Sequence, residues 1–206
     1  MVYIIVSTIL SASVQSSSFT LERGVIRAAT GTYVHKTVPL PGVPDYLTEP
    51  KVSAALIVEG GLDPSGSLEI GLFPTQKTFL FRSNDGRWLS VEAQKMNITT
   101  AYRYYINQSI SFSLGILTSY SMGDGIVERE SAQGIGLRDF DTEIALSPAI
   151  YMMDASAQLK VWQEGALAAF IDFRYSSRLK KQTKVSYDQY SIIGGFKYQL
   201  PKKDGS

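Results

Sequence analysis

Residues 109–122 alternate strictly between two kinds of side chain, and neither kind is charged. Neighbouring side chains of a β-strand point to opposite sides. One side of this strand would carry Ile110, Phe112, Leu114, Ile116, Thr118, Tyr120 and Met122. The other side would carry five serines, Gly115 and Leu117. Small hydroxyl groups suit the crowded interior of a small barrel, and the apolar side suits lipid, so the segment predicts a transmembrane β-strand.

The same two-residue period recurs along the chain. It is visible in residues 52–59, 67–72, 97–106, 142–152, 167–175 and 190–200, whereas no long segment repeats apolar residues at helical spacing. With residues 109–122 these make seven strands. Transmembrane barrels of bacteria have an even number of strands, and an eighth fits only between Phe19 and Val34. The predicted fold class is therefore all-β, an eight-stranded antiparallel up-and-down transmembrane β-barrel.

Two of the predicted strands are irregular. Leu89 and Val91 have the opposite parity to Ile98 and Tyr102, which predicts a β-bulge near residues 94–97 or a segment 87–95 that stands clear of the membrane. Pro148 lies within the sixth strand, although proline cannot donate to a β-ladder. A second bulge, or a position near the barrel rim, would accommodate this proline.

The connections between the predicted strands differ in length. Residues 61–66, 107–108 and 154–156 are short, whereas residues 34–50, 123–140 and 177–186 are long. In an up-and-down order the short turns share one end, and only the tight hairpin at residues 84–86 falls among the long loops. Short periplasmic turns and longer outer loops are typical of outer-membrane barrels.

The composition excludes several other classes of protein. The chain has 206 residues, no cysteine and a net charge of +1, so we expect neither a disulfide scaffold nor a nucleic-acid partner. No apolar run reaches about 18 residues, which argues against a helical membrane span. Residues 1–18 read as a signal peptide without the usual preceding basic residue, or alternatively as a first mature strand. Residues 19–200 would form the barrel, and residues 201–206 a short polar tail.

Alternation alone does not say which side faces inward. A soluble lipocalin-like barrel would turn Ile110, Phe112 and Leu114 toward a hydrophobic ligand and its serines toward water. An uncharged row of serines is a poor soluble surface because it invites edge pairing and aggregation. The membrane barrel is therefore the favoured prediction.

The pattern from Phe19 to Leu200 resembles the small outer-membrane barrels of the OmpA and OmpX type. This resemblance rests on the alternation, the loop lengths and the leader, and it implies location in the bacterial outer membrane. Such barrels commonly end on an aromatic residue, whereas here Leu200 is followed by residues 201–206. Lipid A acyltransferases and deacylases are similar in architecture and use a histidine. The lone His35 has no serine two residues away, so we expect a polar loop residue and no enzyme.

Charged residues on the inward side of the strands form the predicted site. An eight-stranded interior is just wide enough to be filled by side chains, so these charges must pair. Arg103 with Glu143 and Lys197 with Asp172 are possible pairs. The network would close the lumen, or alternatively line a narrow, gated conduction path through it. Its predicted members are Glu59, Glu69, Arg103, Glu143, Asp172, Arg174 and Lys197.

The predicted outer loops point to partners at the cell surface. A basic loop could pair with lipopolysaccharide phosphates, and its predicted contacts are Arg178, Lys180, Lys181 and Lys184. Residues 123–140 carry charges of both signs and would suit a surface macromolecule. The expected protein is a monomer with a structural or surface-interaction role. A narrow channel for small or apolar solutes and the soluble ligand-binding barrel remain alternatives, and no catalytic group, metal site or cofactor is expected.

Overall fold

The structure is a closed, all-antiparallel β-barrel. This computed structural model describes residues 23–38, 49–82, 88–122, 126–130, 149–179, 185–186 and 188–200. The predicted leader (1–18), the tail (201–206), the hairpin at 84–86 and Pro148 lie outside these residues. Within them, no helix is long and apolar enough to cross a membrane.

Eight long strands form the barrel wall, and two short strands extend its rim. The bounds are β1 Ile26–Thr37, β2 Lys51–Asp63, β3 Gly66–Arg82, β4 Trp88–Tyr105, β5 Ile110–Ser121, β6 Ile126–Glu130, β7 Ala149–Glu164, β8 Leu167–Arg178, β9 Val185–Ser186 and β10 Gln189–Gln199. The wall order is β1-β2-β3-β4-β5-β7-β8-β10, and β10 pairs with β1 to close it. Strands β6 and β9 flank the tall β3–β4 hairpin. The predicted fold class and strand number are confirmed.

The predicted orientation of the wall is confirmed in most strands. In β5, Phe112, Leu114 and Ile116 are exposed, whereas Ser111, Ser113 and Ser119 are buried inside. The same inward and outward sets as predicted occur in β1, β2, β8 and β10. A soluble barrel would have the reverse arrangement, so the lipocalin-like alternative does not fit this structure.

The predicted sixth strand is wrong in two respects. Its supposed turn at residues 154–156 lies in the middle of β7, and the real turn comes at Gly165 and Ala166. Ile150 and Met152 point inward and are buried, whereas Tyr151 and Met153 face outward. A polar Asp-Ala-Ser sequence is typical of a turn, but inside a barrel such residues are ordinary lining. Gly165 supplies the left-handed backbone (φ +55°) that the real turn requires.

The β-bulge predicted near residues 94–97 is also wrong. Strand β4 pairs with β3 in one register from Tyr104 to Trp88. Apolar residues of β4 shift from even to odd positions because the lumen side, which carries Asn97 and Arg103, carries the apolar Ala93 nearer the start of the strand. His35, predicted in a loop, lies within β1 and is buried inside the barrel.

The two ends of the barrel differ as predicted. Residues 64–65, 106–109 and 165–166 connect strands at one end, called here the short-turn end. The Ser65 amide and hydroxyl bond the Asp63 carboxylate there and hold the pKa of Asp63 below its usual value. Strand β1 begins and β10 ends at this end, which faces the periplasm in outer-membrane barrels.

Exposed tyrosines mark both borders of an apolar outer band. Tyr102, Tyr104 and Tyr198 lie toward the short-turn end, and Tyr120, Tyr151 and Tyr190 toward the opposite, long-loop end. Tyr190 and Tyr198 are eight residues apart on β10. At about 3.4 Å per residue and a tilt of about 40°, they are separated by about 20 Å in height, close to the apolar band of outer-membrane barrels.

Candidate functional site

The barrel interior holds six of the seven charged residues proposed from the sequence. Glu59, Glu69, Arg103, Asp172, Arg174 and Lys197 are all buried, none more than 6% exposed. They come from β2, β3, β4, β8 and β10, and alternation places each on the inward side. Glu143 lies outside the described residues.

Arg103 connects opposite walls of the lumen. Its guanidinium donates to Glu69 Oε2 at 2.6 Å and to Asp172 Oδ2 at 3.0 Å. It also donates to the hydroxyls of Ser111 and Ser156 at 3.0 Å. A planar guanidinium presents five donors in a fixed fork, so this single side chain ties β4 to β3, β5, β7 and β8.

Arg174 shares the same carboxylates and adds one that the sequence interpretation missed. It donates to Glu69 Oε1 at 2.5 Å, to Asp172 Oδ2 at 2.8 Å and to Asp154 Oδ2 at 3.0 Å. Ser176 also donates to Asp154, at 2.7 Å. Asp154 was assigned to a turn, so its inward position was not recognised. The available signal is the alternation of residues 153–161, where apolar side chains at odd positions alternate with polar ones at even positions.

Lys197 and Glu59 form the part of the network nearest the short-turn end. Lys197 Nζ bonds a Glu59 carboxylate oxygen and donates to Gln158 Oε1 at 2.6 Å. Tyr105 donates to Glu59 Oε2 at 2.5 Å. The guanidinium of Arg27 lies 5.9 Å from the Tyr105 ring centre. Arg27 was also missed, although the alternation of β1 places it inside.

The specific ion pair suggested for Lys197 is wrong. Lys197 pairs with Glu59, whereas Asp172 bonds both arginines. The register explains this, because Asp172 lies opposite Ile193 on β10, four residues further along the barrel than Lys197. The suggested partner of Arg103, Glu143, is outside the described residues.

A layer of aromatic and aliphatic side chains packs beside the charged network. Tyr33 stacks on Phe73 with ring centres 5.0 Å apart, and Arg174 lies 5.2 Å from the Phe73 ring centre. Ala29, Ala55, Ile57, Phe170 and Ile193 complete this buried cluster. Gly31 and Gly195 face each other on β1 and β10, where an added Cβ would meet the opposite backbone. These two glycines therefore allow β1 and β10 to approach each other closely.

The long-loop half of the lumen is polar and richer in lysine. Lys77 and Lys95 are fully buried, with Lys77 Nζ at 3.4 Å from Met152 Sδ and Lys95 Nζ at 2.5 Å from Ser121 Oγ. His35 stacks on Tyr33 with ring centres 5.0 Å apart. Side chains therefore occupy the interior along the described strands.

A small cavity, of about 20 Å³, lies at the short-turn end and is lined by Tyr105, Gln158, Lys160, Phe170 and Lys197, among others. It is large enough for about one water molecule. Among the described residues, no group of three or more His, Asp or Glu side chains could hold a metal ion.

Most of the predicted lipopolysaccharide contacts lie outside the described residues. Arg178 ends β8 at the long-loop end. Lys180, Lys181 and Lys184 are not described. Residues 123–140, the predicted macromolecule contact, are described only at 126–130, which form β6 beside β4.

Comparison with known proteins shows the fold. No protein-family model matches the chain, and no curated protein matches it. The outer-membrane protein OprG of Pseudomonas aeruginosa superimposes with a TM-score of 0.56 at 10% identity, covering 88% of this chain and 98% of OprG. The attachment invasion locus protein Ail of Yersinia pestis, solved with the heparin analogue sucrose octasulfate, gives 0.51 at 11% identity, covering 87% of this chain and all of Ail.

The fold and the lumen together define a class. Apolar side chains on the outside, charges inside and an even number of closed strands are the features of a transmembrane barrel of the outer-membrane type. The chain therefore has the fold of the small eight-stranded outer-membrane barrels, as the resemblance to the OmpA and OmpX type predicted. The solved barrels named above are outer-membrane proteins, which is the location that the sequence predicts.

Proposed function

We propose that the protein is a closed outer-membrane barrel that anchors its long loops at the cell surface and does not conduct ions along its axis. The main support is the Arg103 and Arg174 network, which joins opposite walls through Glu69 and Asp172. A buried charge that lost its partner would be costly, so the network resists opening. Eight strands also leave room only for side chains. We expect the protein to act as a monomer without catalytic activity.

Conductance across a planar lipid bilayer tests this closed state. The purified, refolded barrel should give no discrete current steps at neutral pH. The matched variant Arg103→Ser, Arg174→Ser, which shortens both cross-lumen side chains, should raise the background current. Discrete, reproducible steps from the unmodified chain would contradict the proposal.

The predicted basic loop gives the surface role a specific partner. We propose that Arg178, Lys180, Lys181 and Lys184 pair with lipopolysaccharide phosphates, since charge-assisted bonds to phosphate are strong. The supporting observation is that Arg178 ends β8 at the long-loop end. A variant with all four residues changed to alanine should lose thermal stabilisation by added lipopolysaccharide. A control with Lys202→Ala and Lys203→Ala should keep it, and equal stabilisation of both variants would contradict the contact.

One feature of the wall favours a second candidate function, passage of small apolar molecules between the buried apolar cluster of the lumen and the bilayer. The pairing of β2 with β3 ends at Leu56 and Leu72, although both strands continue. The neighbouring interior is apolar, with Ala55 and Phe73 buried. Uptake of a fluorescent apolar probe into vesicles containing the barrel tests this route. Equal rates with and without protein would exclude it.

A further inference from the structure

Pro74 interrupts the barrel wall between β2 and β3. Consecutive residues of an antiparallel strand direct their N–H and C=O groups to alternate neighbours. The Tyr105 amide of β4 donates to the Ser65 carbonyl at 2.8 Å, so odd-numbered residues of β3 bond β4 and even-numbered ones face β2. Pro74 therefore faces β2 at a position where it has no N–H to donate. We call the stretch beyond Leu72 the seam.

Side chains bridge the seam where the main-chain ladder stops. His35 Nε2 of β1 lies 3.1 Å from the Gln76 carbonyl oxygen and 2.6 Å from the Thr75 hydroxyl. By the same alternation, that carbonyl faces β2. The imidazole N–H of His35 thus binds an oxygen that a longer ladder would have used.

A second bridge runs from β2 to the far side of β3. Lys51 of β2 forms an ion pair with Glu92 of β4. Gln76 Nε2 donates to the other Glu92 oxygen at 2.5 Å. The Glu92 side chain is only 1% exposed, so its charge is partnered inside protein rather than in water.

We propose that the His35–Gln76 and Lys51–Glu92 contacts form a latch that closes the seam at neutral pH and releases it in acid. Four strands contribute to the latch, and each contact crosses the place where the ladder is missing. The purpose of such a latch, regulated access to the seam, rests on the second candidate function. The latch itself is a property of the wall and is tested without any solute.

The acid sensitivity follows from the charges around the seam. Protonation of Glu92 removes the negative partner of Lys51. Protonation of His35 places a positive charge in a buried site near the cations Lys51 of β2 and Lys77 of β3, and this cost outweighs the stronger bond that a charged imidazole makes to the Gln76 carbonyl. Lys77 in turn interacts electrostatically with Lys95, Arg178 and Asp188. Two of these three groups are cations. Both protonations therefore oppose the closed arrangement, and its stability is lost as the pH falls.

A distance measured between spin labels across the seam tests the latch. The chain has no cysteine, so Val52→Cys on β2 and Met96→Cys on β4 label the two sides without touching the latch. Wild-type background should give one narrow distance at neutral pH and a longer, broader one in acid. A control pair, Ile116→Cys and Phe173→Cys, spans β7, whose ladders to β5 and β8 are continuous at that height, and should not change.

Variants separate the latch from general unfolding. Glu92→Gln and His35→Phe should give the long distance already at neutral pH, whereas Glu164→Gln at the short-turn end should behave as wild type. Pro74→Ala restores an N–H facing β2, so it should keep the narrow distance in acid even when combined with Glu92→Gln.

The seam distance tests the latch, and probe uptake tests the second candidate function, so the two can fail independently. An unchanged seam distance in acid in the wild-type background overturns the latch, and this measurement needs no latch substitution that could impair folding. A seam that opens without probe uptake would support the latch and exclude the passage. Probe uptake through a seam of constant width would support the passage and overturn the latch.

Discussion

Arg103 shows how one buried side chain can organise an entire interior. It hydrogen-bonds carboxylates or hydroxyls from four other strands, pairs with Glu59 of a fifth, and is completely buried. Arg174 contacts the same two carboxylates, Glu69 and Asp172. Each carboxylate therefore keeps one arginine if the other is lost, but the buried network then has one positive charge too few.

Replacing Arg103 by methionine should lower the free energy of unfolding by about 3–5 kcal/mol, because the change leaves buried carboxylates with too few cations. Urea unfolding in lipid vesicles, followed by tryptophan fluorescence, measures it. The control Arg23→Met removes a charge from an exposed position before β1 and should change stability by less than about 0.5 kcal/mol. An equal effect of the two substitutions would refute the importance of the network.

The alternation of the strands was readable residue by residue, but the partners of each charge were not. The inward position of Lys197 is predicted correctly, yet its partner Glu59 depends on the registers of β10 with β1 and of β1 with β2, which the sequence does not encode locally. Asp154 was misplaced because its neighbours Ala155 and Ser156 suit a turn as well as a lumen. His35 was misplaced because β1 continues beyond Val34 to Thr37.

At the scale of the strand, the outer surface should respond to charge according to depth. On β5, Ile116 lies midway between Phe112 and Tyr120, whereas Met122 follows the end of the strand. Both side chains are about half exposed, so the two positions form a matched pair that differs in height.

Ile116→Arg should destabilise the folded barrel in a bilayer by about 2–4 kcal/mol, and Met122→Arg by about 0–1 kcal/mol. The cost falls with distance from the bilayer centre because an arginine near the border reaches water. The same urea titration gives both values. Equal costs would mean that the tyrosine rows do not mark the borders of the membrane.

Strand lengths explain which elements the sequence predicted well. Strands with a mostly polar inside and a mostly apolar outside, such as β5 and β10, are predicted nearly to their observed ends. Strand β3 has 17 residues and is predicted too short. The upper part of the 18-residue β4 is predicted only as a bulged continuation or as a segment clear of the membrane. The upper ends of β3 and β4 pair with β9 and β6, past the end of β5 at Ser121, where lipid no longer imposes the alternation.

For the whole molecule, closure of the wall predicts resistance to detergent. The ladders join every neighbouring pair of the eight long strands and leave a gap at the seam between β2 and β3, so partial unfolding has few free edges from which to begin. The unheated protein should migrate differently from the boiled protein on a detergent gel. The variant Arg103→Met, Arg174→Met should lose the band of the unheated, folded protein at a lower temperature than wild type does. The control Arg23→Met should lose this band at the wild-type temperature. A single band at all temperatures would contradict a stable closed barrel.

The even number of strands also fixes where anything joined to the barrel must emerge. The chain enters β1 and leaves β10 at the short-turn end, so extensions before residue 26 and after residue 199 share one aqueous compartment. A reporter fused at either position would therefore sample the same side of the membrane. A peptide inserted into the β1–β2 or β8–β10 connection would be displayed on the opposite side. Because the number of strands is even, the barrel presents both ends of the chain on one side of the membrane and its long loops on the other.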